Sequence, residues 1–460
     1  VEHLKRYTTL GMGTDQGKTS NVTGLAILAK LSKKSIPEVG TTMFRPPYIP
    51  LSLDAVVGPQ IGKNLKPIRL TPTHNWAKAN GASFTESGLW LRAEWYSKKS
   101  EKKWRESVDR EVISVRNSVG FCDVSTLGKI DIQGRDAQDF INKIYSNGFA
   151  KLPIGKVRYG LMLREDGIVM DDGTTARMSE NHFIMTTTTI NAESVYRHLE
   201  FCHQCLWPKM DVHLISTTDA WAQIAIAGPN SRKVISKILD KEFDISNEKF
   251  PFMSCKELTI CGGITARLFR ISFSGELAYE LSLPTQYASS FVSYLMKVGK
   301  EENIIPYGTE ALGVMRIEKG HAAGAELNGT ISALNLNMEK MVSPQKDSIG
   351  MILSKREGLC LPDGLRLIGL KPINPKNQLI SGSHLFNENE KRLPENDLGY
   401  VTSSCYSPTL KSFIALAFLK NGTRRYGQKI NVSNPILKNE TMAEICNPIF
   451  VDPNGDRLRG

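Results

Sequence analysis

Apolar and polar positions change period along this chain, and the changes mark out its elements. From Asn21 to Lys33 apolar residues fall at Leu25, Ile27, Leu28 and Leu31, which is helical spacing. Helical spacing returns over residues 136–145 and 287–298. It also covers 192–206, where Val195, Leu199 and Cys202 share a face. Strand signals lie between. Ala220-Trp-Ala-Gln-Ile-Ala-Ile-Ala227 runs up to Gly228-Pro229. Two apolar runs flank Asp166-Gly167 within Tyr159–Thr174, the pattern of a hairpin whose Gly takes the positive φ of the turn. From about residue 364 the helical period vanishes, and short strands separated by Pro, Gly and Asn predict a small C-terminal β barrel. Strands and helices mixed in this way predict α+β layers, not a doubly wound sheet. Pro46, Pro47 and Pro50 mark a connector. Residues 58–103, with Pro59, Pro67 and Pro72, read as a tether whose Trp76, Trp90, Trp95 and Tyr96 pack onto a neighbour. The expected divisions are 1–57, 58–103, 104–363 and 364–460.

At 460 residues the chain exceeds one compact core. No apolar run reaches the ~18 residues of a membrane-spanning helix, and nothing at the start resembles a signal peptide. Eight scattered cysteines do not suggest a disulfide scaffold and read as reduced thiols in a cytoplasm. The net charge of +11 is diffuse, without a basic block interleaved with aromatics, so nucleic acid is not indicated. It suits an anionic ligand or an acidic partner, although a solvated basic surface is the plainer reading.

Candidate chemistry is sparse. Gly11-Met-Gly-Thr-Asp-Gln-Gly-Lys-Thr-Ser20 fails as a phosphate loop, because Met12 stands where the first Gly belongs. It still reads as a turn opening a helix whose N–H groups could hold an anion. Cys202-His203-Gln204-Cys205, with His198, has the spacing of half a zinc site, but a second pair is missing and no metal is expected. His321 reads as structural. The hairpin is odder: Ile168-Val169-Met170 is followed by Asp171-Asp172. Strict alternation puts Asp172 on the face of Ile168 and Met170, with Asp171 opposite. A carboxylate among buried residues needs partners or a task; two solvated Asp residues at a strand end are the alternative. Glu276 and Glu280 share a parity, with Phe273 and Tyr279 beside them. Carboxylates and aromatics so placed would suit the N–H edge and the face of a planar heterocycle, or simply an outward strand face.

Five segments in one order carry a resemblance: Gly120–Gly134, Asn147–Leu152, Tyr159–Thr174, Ile271–Leu281 with Met315–Gly320, and Leu398–Leu410. Over roughly residues 104 to 460 they resemble the folate-dependent aminomethyltransferase family, that of the glycine-cleavage T-protein. The segments Val1–Ser20, Thr42–Tyr48 and Arg69–Trp76 are similar to the α-subunit family of heterotetrameric sarcosine oxidases, in which a dinucleotide-binding half precedes an aminomethyltransferase-like half. On that resemblance residues 1–57 are the tail of the dinucleotide-binding half, 104–363 the folate-binding domain and 364–460 the barrel.

The resemblance implies tetrahydrofolate as the group this chain handles. Asp172 matches the family's catalytic carboxylate. Tyr159 and Phe273 match aromatics of the folate pocket, Phe273 standing where the T-protein usually has Tyr, and Glu280 matches the pterin-reading carboxylate. Glu276, Asp171 and Arg316 are further folate-binding candidates, while Leu312 replaces an arginine of the family motif. As part of an α subunit, the chain would accept the methylene of the sarcosine-derived imine and give 5,10-methylenetetrahydrofolate and glycine. NAD, FAD and FMN would belong to the whole complex, not to this piece. Implied partners are the β, γ and δ subunits and the chain's own N-terminal half. The alternatives are a stand-alone aminomethyltransferase, against which residues 1–48 argue, and a non-catalytic or tRNA-modifying folate scaffold. Such scaffolds usually carry a Cys signature, absent from Arg316–His321.

Overall fold

The computed structural model describes residues 1–13, 16–45, 49, 51–240 and 243–460. It divides into a unit of residues Val1–Ile68 and a larger one of Arg69–Gly460. The first is helical. Its longest helix, Ser20–Ser32, buries Asn21, Leu25 and Ala29 and ends at Lys33 in the left-handed conformation. Val22, Ile27 and Leu31 of that helix stay exposed. The connector expected from Pro46, Pro47 and Pro50 lies outside the described residues.

The larger unit begins inside the expected tether. Arg69–Leu70, Ala82–Ser87 and Trp90–Tyr96 form a three-stranded sheet, with the helix His74–Ala79 beside it. Trp76 packs 5.5 Å from Phe121, and Trp90 and Tyr96 are buried. Trp76 and Trp95 of the expected tether thus meet Phe121 and Trp104 of the segment that follows, inside the larger unit. Prolines mark chain turns locally, but the buried aromatics Trp90 and Tyr96 make a strand of the stretch beyond them.

Two larger sheets follow. One has five strands, in the order Val157–Leu163, Val169–Ser179, His182–Thr187, Gly128–Gln133 and His213–Ser216. The other has six, in the order Cys255–Ile260, Ile264–Phe269, Ala278–Pro284, Trp221–Ala227, Gly120–Asp123 and Ile305–Pro306. Alternation sorts their faces. On the five-stranded sheet Ile130, Ile132, Met162, Phe183 and Met185 turn outward, onto the helices Ala137–Ile144 and Ala192–Phe201. On the six-stranded sheet Ile224, Ile226, Leu268, Tyr279, Leu281 and Leu283 turn outward, onto the helix Ala288–Val298. The remaining faces look at one another. Val157, Ala176 and Ile184 pack against Phe269 and Ile271 between them, and Arg267 grips Asp131 across the gap at 3.0 and 3.2 Å. The helix expected over 192–206 gives way to one π turn at Cys202–Leu206.

The fold class is α+β with a closed C-terminal barrel of six strands: Leu365–Pro372, Ser412–Lys420, Gly399–Ser407, His384–Phe386, Lys429–Asn434 and Asn439–Cys446. The barrel joins the rest through the helix Thr309–Lys319. Glu318 on that helix accepts Ser407 Oγ of the barrel at 2.5 Å, and its carbonyl accepts the Phe450 and Val451 amides. Its other oxygen is held by Arg116, at the end of the helix Trp104–Asn117, at 2.5 and 3.0 Å. Arg116 also donates to Glu276 Oε1 at 2.7 Å and to the Ser274 carbonyl at 2.9 Å. Arg116, Glu276 and Glu318 are 4 %, 3 % and 0 % exposed, so no water compensates a lost partner. Arg116→Met should therefore destabilise the chain by about 3–5 kcal/mol, the usual penalty for stranding buried charge. In Arg116→Met/Glu318→Gln part of the loss should return. Calorimetric unfolding checks both; additive losses would mean that the pair is not coupled.

Candidate functional site

The hairpin turns where expected: Gly167 has φ +85°, and its amide donates to the Arg164 carbonyl at 3.0 Å. Alternation then breaks. Leu163 pairs with Val169 but Met162 pairs with Asp171, so Met170 is the extra residue of a β bulge. Asp172, paired with Leu161, consequently shares its face with Val169, not with Ile168 and Met170 as strict alternation had it. Asp171 still points the opposite way. Gly173 follows because a Cβ there would lie 2.0 Å from the Thr186 carbonyl of the next strand.

The two carboxylates have different surroundings. Asp171 is 1 % exposed and accepts the Thr188 amide at 3.1 Å, Thr188 Oγ1 at 2.8 Å and Asn191 Nδ2 at 3.0 Å. It pins the entry of the helix Ala192–Phe201, and burial raises its pKa against those bonds. Asp172 is only half-buried and accepts one side-chain bond, from Tyr159 Oη at 2.7 Å. Burial pushes it up to about 7; the Tyr159 bond opposes the rise and the Asp171 charge adds to it. Burial also holds the Tyr159 phenol protonated.

On the six-stranded sheet, Glu280 is 8 % exposed and accepts a short hydrogen bond from Gln223 Nε2. Burial raises it to about 7, against Gln223 and the positive charge of Lys129. Gln223 Oε1 is buried without a partner among the described residues. Phe273 is 37 % exposed, and the His321 ring lies 5.6 Å from it; His321 Nδ1 bonds to the Phe273 carbonyl at 3.0 Å. Burial lowers His321 to about 4, so the ring is neutral.

Register brings these groups together. Tyr159, Thr174, Asp172 and Thr186 lie on the face that carries Val157, Ala176 and Ile184. Glu280 and Gln223 lie on the face that carries Phe269 and Arg267. Those two faces oppose each other, so both carboxylates look into the space between the sheets. Asp172, Tyr159, Thr174 and Thr186 remain partly accessible there. The unpartnered Gln223 acceptor beside Glu280, the open Phe273 ring and the carboxyl–phenol pair fit a flat heterocycle with N–H donors on one edge.

Four expected site residues go elsewhere, Asp171 among them, since its carboxylate is taken up by Thr188 and Asn191 on the opposite face. Glu276 precedes the strand that begins at Ala278, and its carboxylate is occupied by Arg116 and by Arg457 at 2.6 Å. Arg316 donates to Glu326 at 2.7 Å and to Ser403 at 2.8 Å. It lines a separate cleft of about 620 Å³ with Arg105, Glu310 and Tyr406, to which Asp172, Tyr159, Phe273 and Glu280 do not contribute. Tyr279 is 0 % exposed in the outer core, one residue out of phase with Glu280, and offers no stacking face. Sequence reading missed Gln223, Lys129 and the Thr174–Thr186 pair, since only cross-strand register places them here. Cys202 Sγ lies 3.6 Å from His198, but His203 turns to the Met210 carbonyl. Among the described residues no three potential ligands gather for a metal.

The two aspartates should respond oppositely to amide substitution. Asp172 is raised from an ordinary value of 3.8, so the fold favours its protonated form. The stability that Asp172 itself contributes therefore falls as pH rises from about 4 and levels off above about 7. Asp172→Asn removes that penalty and should gain about 1–3 kcal/mol above pH 7 and nothing below pH ~4. Asp171→Asn turns an NH₂ toward one of three donors and should lose about 1–2 kcal/mol. Denaturant unfolding at several pH values checks both.

Residues 73–346 match the GCVT N-terminal domain, residues 366–452 the glycine cleavage T-protein C-terminal barrel domain and residues 1–59 the sarcosine oxidase A3 domain. Over its full length the chain is 52% identical to "Sarcosine oxidase subunit alpha" of Rhizobium meliloti (strain 1021), covering 46% of that protein. It is 41% identical to the protein of the same name from Corynebacterium sp. (strain P-1), again over its full length and covering 48% of that protein. The chain thus spans about half the length of these curated relatives. Its fold matches the crystal structure of glycine cleavage system aminomethyltransferase T from Bartonella henselae with a TM-score of 0.72 at 20% identity, over 84% of this chain and 99% of that one. With the opposed sheets and the barrel both accounted for by matched domains, the chain belongs to the glycine-cleavage T-protein family.

Proposed function

We propose that this chain is the folate-binding half of a sarcosine oxidase α subunit, taking the methylene group of the sarcosine-derived imine to give 5,10-methylenetetrahydrofolate and glycine. The observation that carries this reading is that Asp172–Tyr159 and Glu280–Gln223, each hydrogen-bonded within its own sheet, lie on the two faces that oppose each other. Tetrahydrofolate, when bound, supplies the nucleophilic ring nitrogen. Glu280 and Gln223 would accept N–H bonds from its flat edge, Phe273 with His321 would cover an apolar part, and Asp172 would take the proton released from the ring nitrogen. Tyr159 positions the Asp172 carboxylate by its hydrogen bond. With Asp172 near 7, the carboxyl is poised to take a proton at neutral pH. With folate bound between them, the facing sheets would shield the imine from hydrolysis. Residues 1–59, similar to the A3 domain, favour this reading over a stand-alone aminomethyltransferase.

The division of labour follows. Sarcosine oxidation and its NAD, FAD and FMN belong to the rest of the complex: the N-terminal half and the β, γ and δ subunits. Eight free cysteines suit a reducing cytoplasm. Among the described residues no helix is long and apolar enough to cross a membrane.

Two measurements test the reading. The chain should bind 5-formyltetrahydrofolate in calorimetry, and Glu280→Ala should weaken binding by about 2–3 kcal/mol; no binding at millimolar ligand sinks the proposal. In the assembled enzyme, Asp172→Asn should leave sarcosine oxidation nearly unchanged. It should divert product from 5,10-methylenetetrahydrofolate to formaldehyde, and wild type should show the same diversion as pH falls below about 7. Unchanged partition with folate still bound would reduce the protein's role to proximity.

A further inference from the structure

Beside Glu280 lie two buried polar groups with hydrogen-bonding capacity left over. Gln223 is 1 % exposed. Its Nε2 must face the Glu280 carboxylate to donate, which turns Oε1 away as an acceptor without a partner. Lys129 is 2 % exposed on the facing sheet. Its Nζ donates to the Ser125 carbonyl at 2.8 Å and to the Leu127 carbonyl at 3.0 Å. An ammonium carries three donors, so one is left. The charges of Asp123, Asp219 and Glu280 act on Lys129, but among the described residues no carboxylate lies within ion-pair distance of it.

The groups are mechanically joined. Ser125 Oγ accepts the Gln223 amide at 2.9 Å, while the Ser125 carbonyl holds Lys129. Asp123 Oδ1 in turn accepts the Ser125 amide at 2.9 Å, so the turn between the strands Gly120–Asp123 and Gly128–Gln133 is rigid. Lys129 pairs with Thr186, which puts it on the inward face with Thr174 and Asp172. A buried lysine without an ion pair, tied through Ser125 to a glutamine whose acceptor has no donor, is costly in an empty protein and suited to a ligand that supplies both partners.

We infer that Lys129 and Gln223 complete, with Glu280, a hydrogen-bonding rim that selects a ring edge carrying two N–H donors beside a carbonyl. The inference rests on the folate reading above and deepens it. Glu280 Oε1 and Gln223 Oε1 accept the two donors, and the spare Lys129 N–H donates to the carbonyl. The rim therefore discriminates against a pteridine whose carbonyl is replaced by an amino group, because that group sets donor against donor and brings a more basic ring toward an ammonium. Lys129 acts here as a specificity residue, with no part in moving the methylene group.

The test compares tetrahydrofolate with tetrahydroaminopterin, its 4-amino counterpart, titrated anaerobically onto the full chain. Wild type should favour the 4-oxo ligand by on the order of 10- to 100-fold, the worth of one hydrogen bond to a charged group. Lys129→Met should lower that ratio several-fold, leaving the part that comes from the ring N–H the 4-amino ligand lacks, Lys129→Arg should keep most of it, and Gln223→Met should weaken tetrahydrofolate binding. A lysine that only pins its turn would change both affinities together and leave the ratio standing; that result overturns the inference. Should Lys129→Met fail to fold by circular dichroism, a wild-type ratio near one overturns it equally, and a ratio kept by Lys129→Arg supports it. Absence of tetrahydrofolate binding by wild type would instead bring down the folate reading itself. Binding without discrimination would bring down this inference alone.

Discussion

A single buried guanidinium sets the frame for the rest. Arg116 ends one helix, reaches Glu318 on a second and Glu276 in the turn before the strand that carries Glu280. Glu318 passes the constraint to the barrel through Ser407 and through the chain at Phe450 and Val451. Charges this deeply buried hold only in one arrangement, since any slip leaves one of them unpaired in a low dielectric. The register of the six-stranded sheet and the seating of the barrel are thus tied to the same atom group, and Glu276 serves that tie instead of a ligand.

The space between the sheets works by the opposite logic. Where Arg116 finds every partner, the inward faces near Asp172 and Glu280 are left short of them. Both carboxyls rise to about 7 because burial is only partly offset. Asp171, one residue away, shows what full satisfaction looks like: three donors and no access to solvent. A fully partnered carboxylate and a sparsely partnered one are thus adjacent in the chain and differ in partner count and exposure.

The bulge at Met170 makes that separation. With the extra residue, Val169 and Asp172 share the inward face, while Met170 and Asp171 turn toward the helices. Gly173 then allows the neighbouring strand to close against the bulged one. A regular strand would set Asp172 on the face of Met170, as alternation alone implies. Here the same two aspartates end on the same two opposite faces, but with different neighbours.

Much was settled by local chemistry. The hairpin at Asp166-Gly167, the helices over 137–144 and 288–298, the strand 221–227 and the β-rich end beyond 364 all follow from period and turn residues, which act within a few residues of chain. The order of motifs carried the family, because motif order survives without knowledge of contacts. Tertiary structure alone decided the rest. Residues 69–96 became a small sheet with a helix beside it because Trp76 and Tyr96 found buried neighbours. Glu276 and Arg316 went to ion pairs because Arg116, Arg457 and Glu326 lie far from them in sequence or around a turn. Gln223 and Lys129 look like ordinary strand residues until register sets them across one gap. Burial without a partner is a property of three-dimensional neighbourhoods, and no spacing along a single chain encodes it.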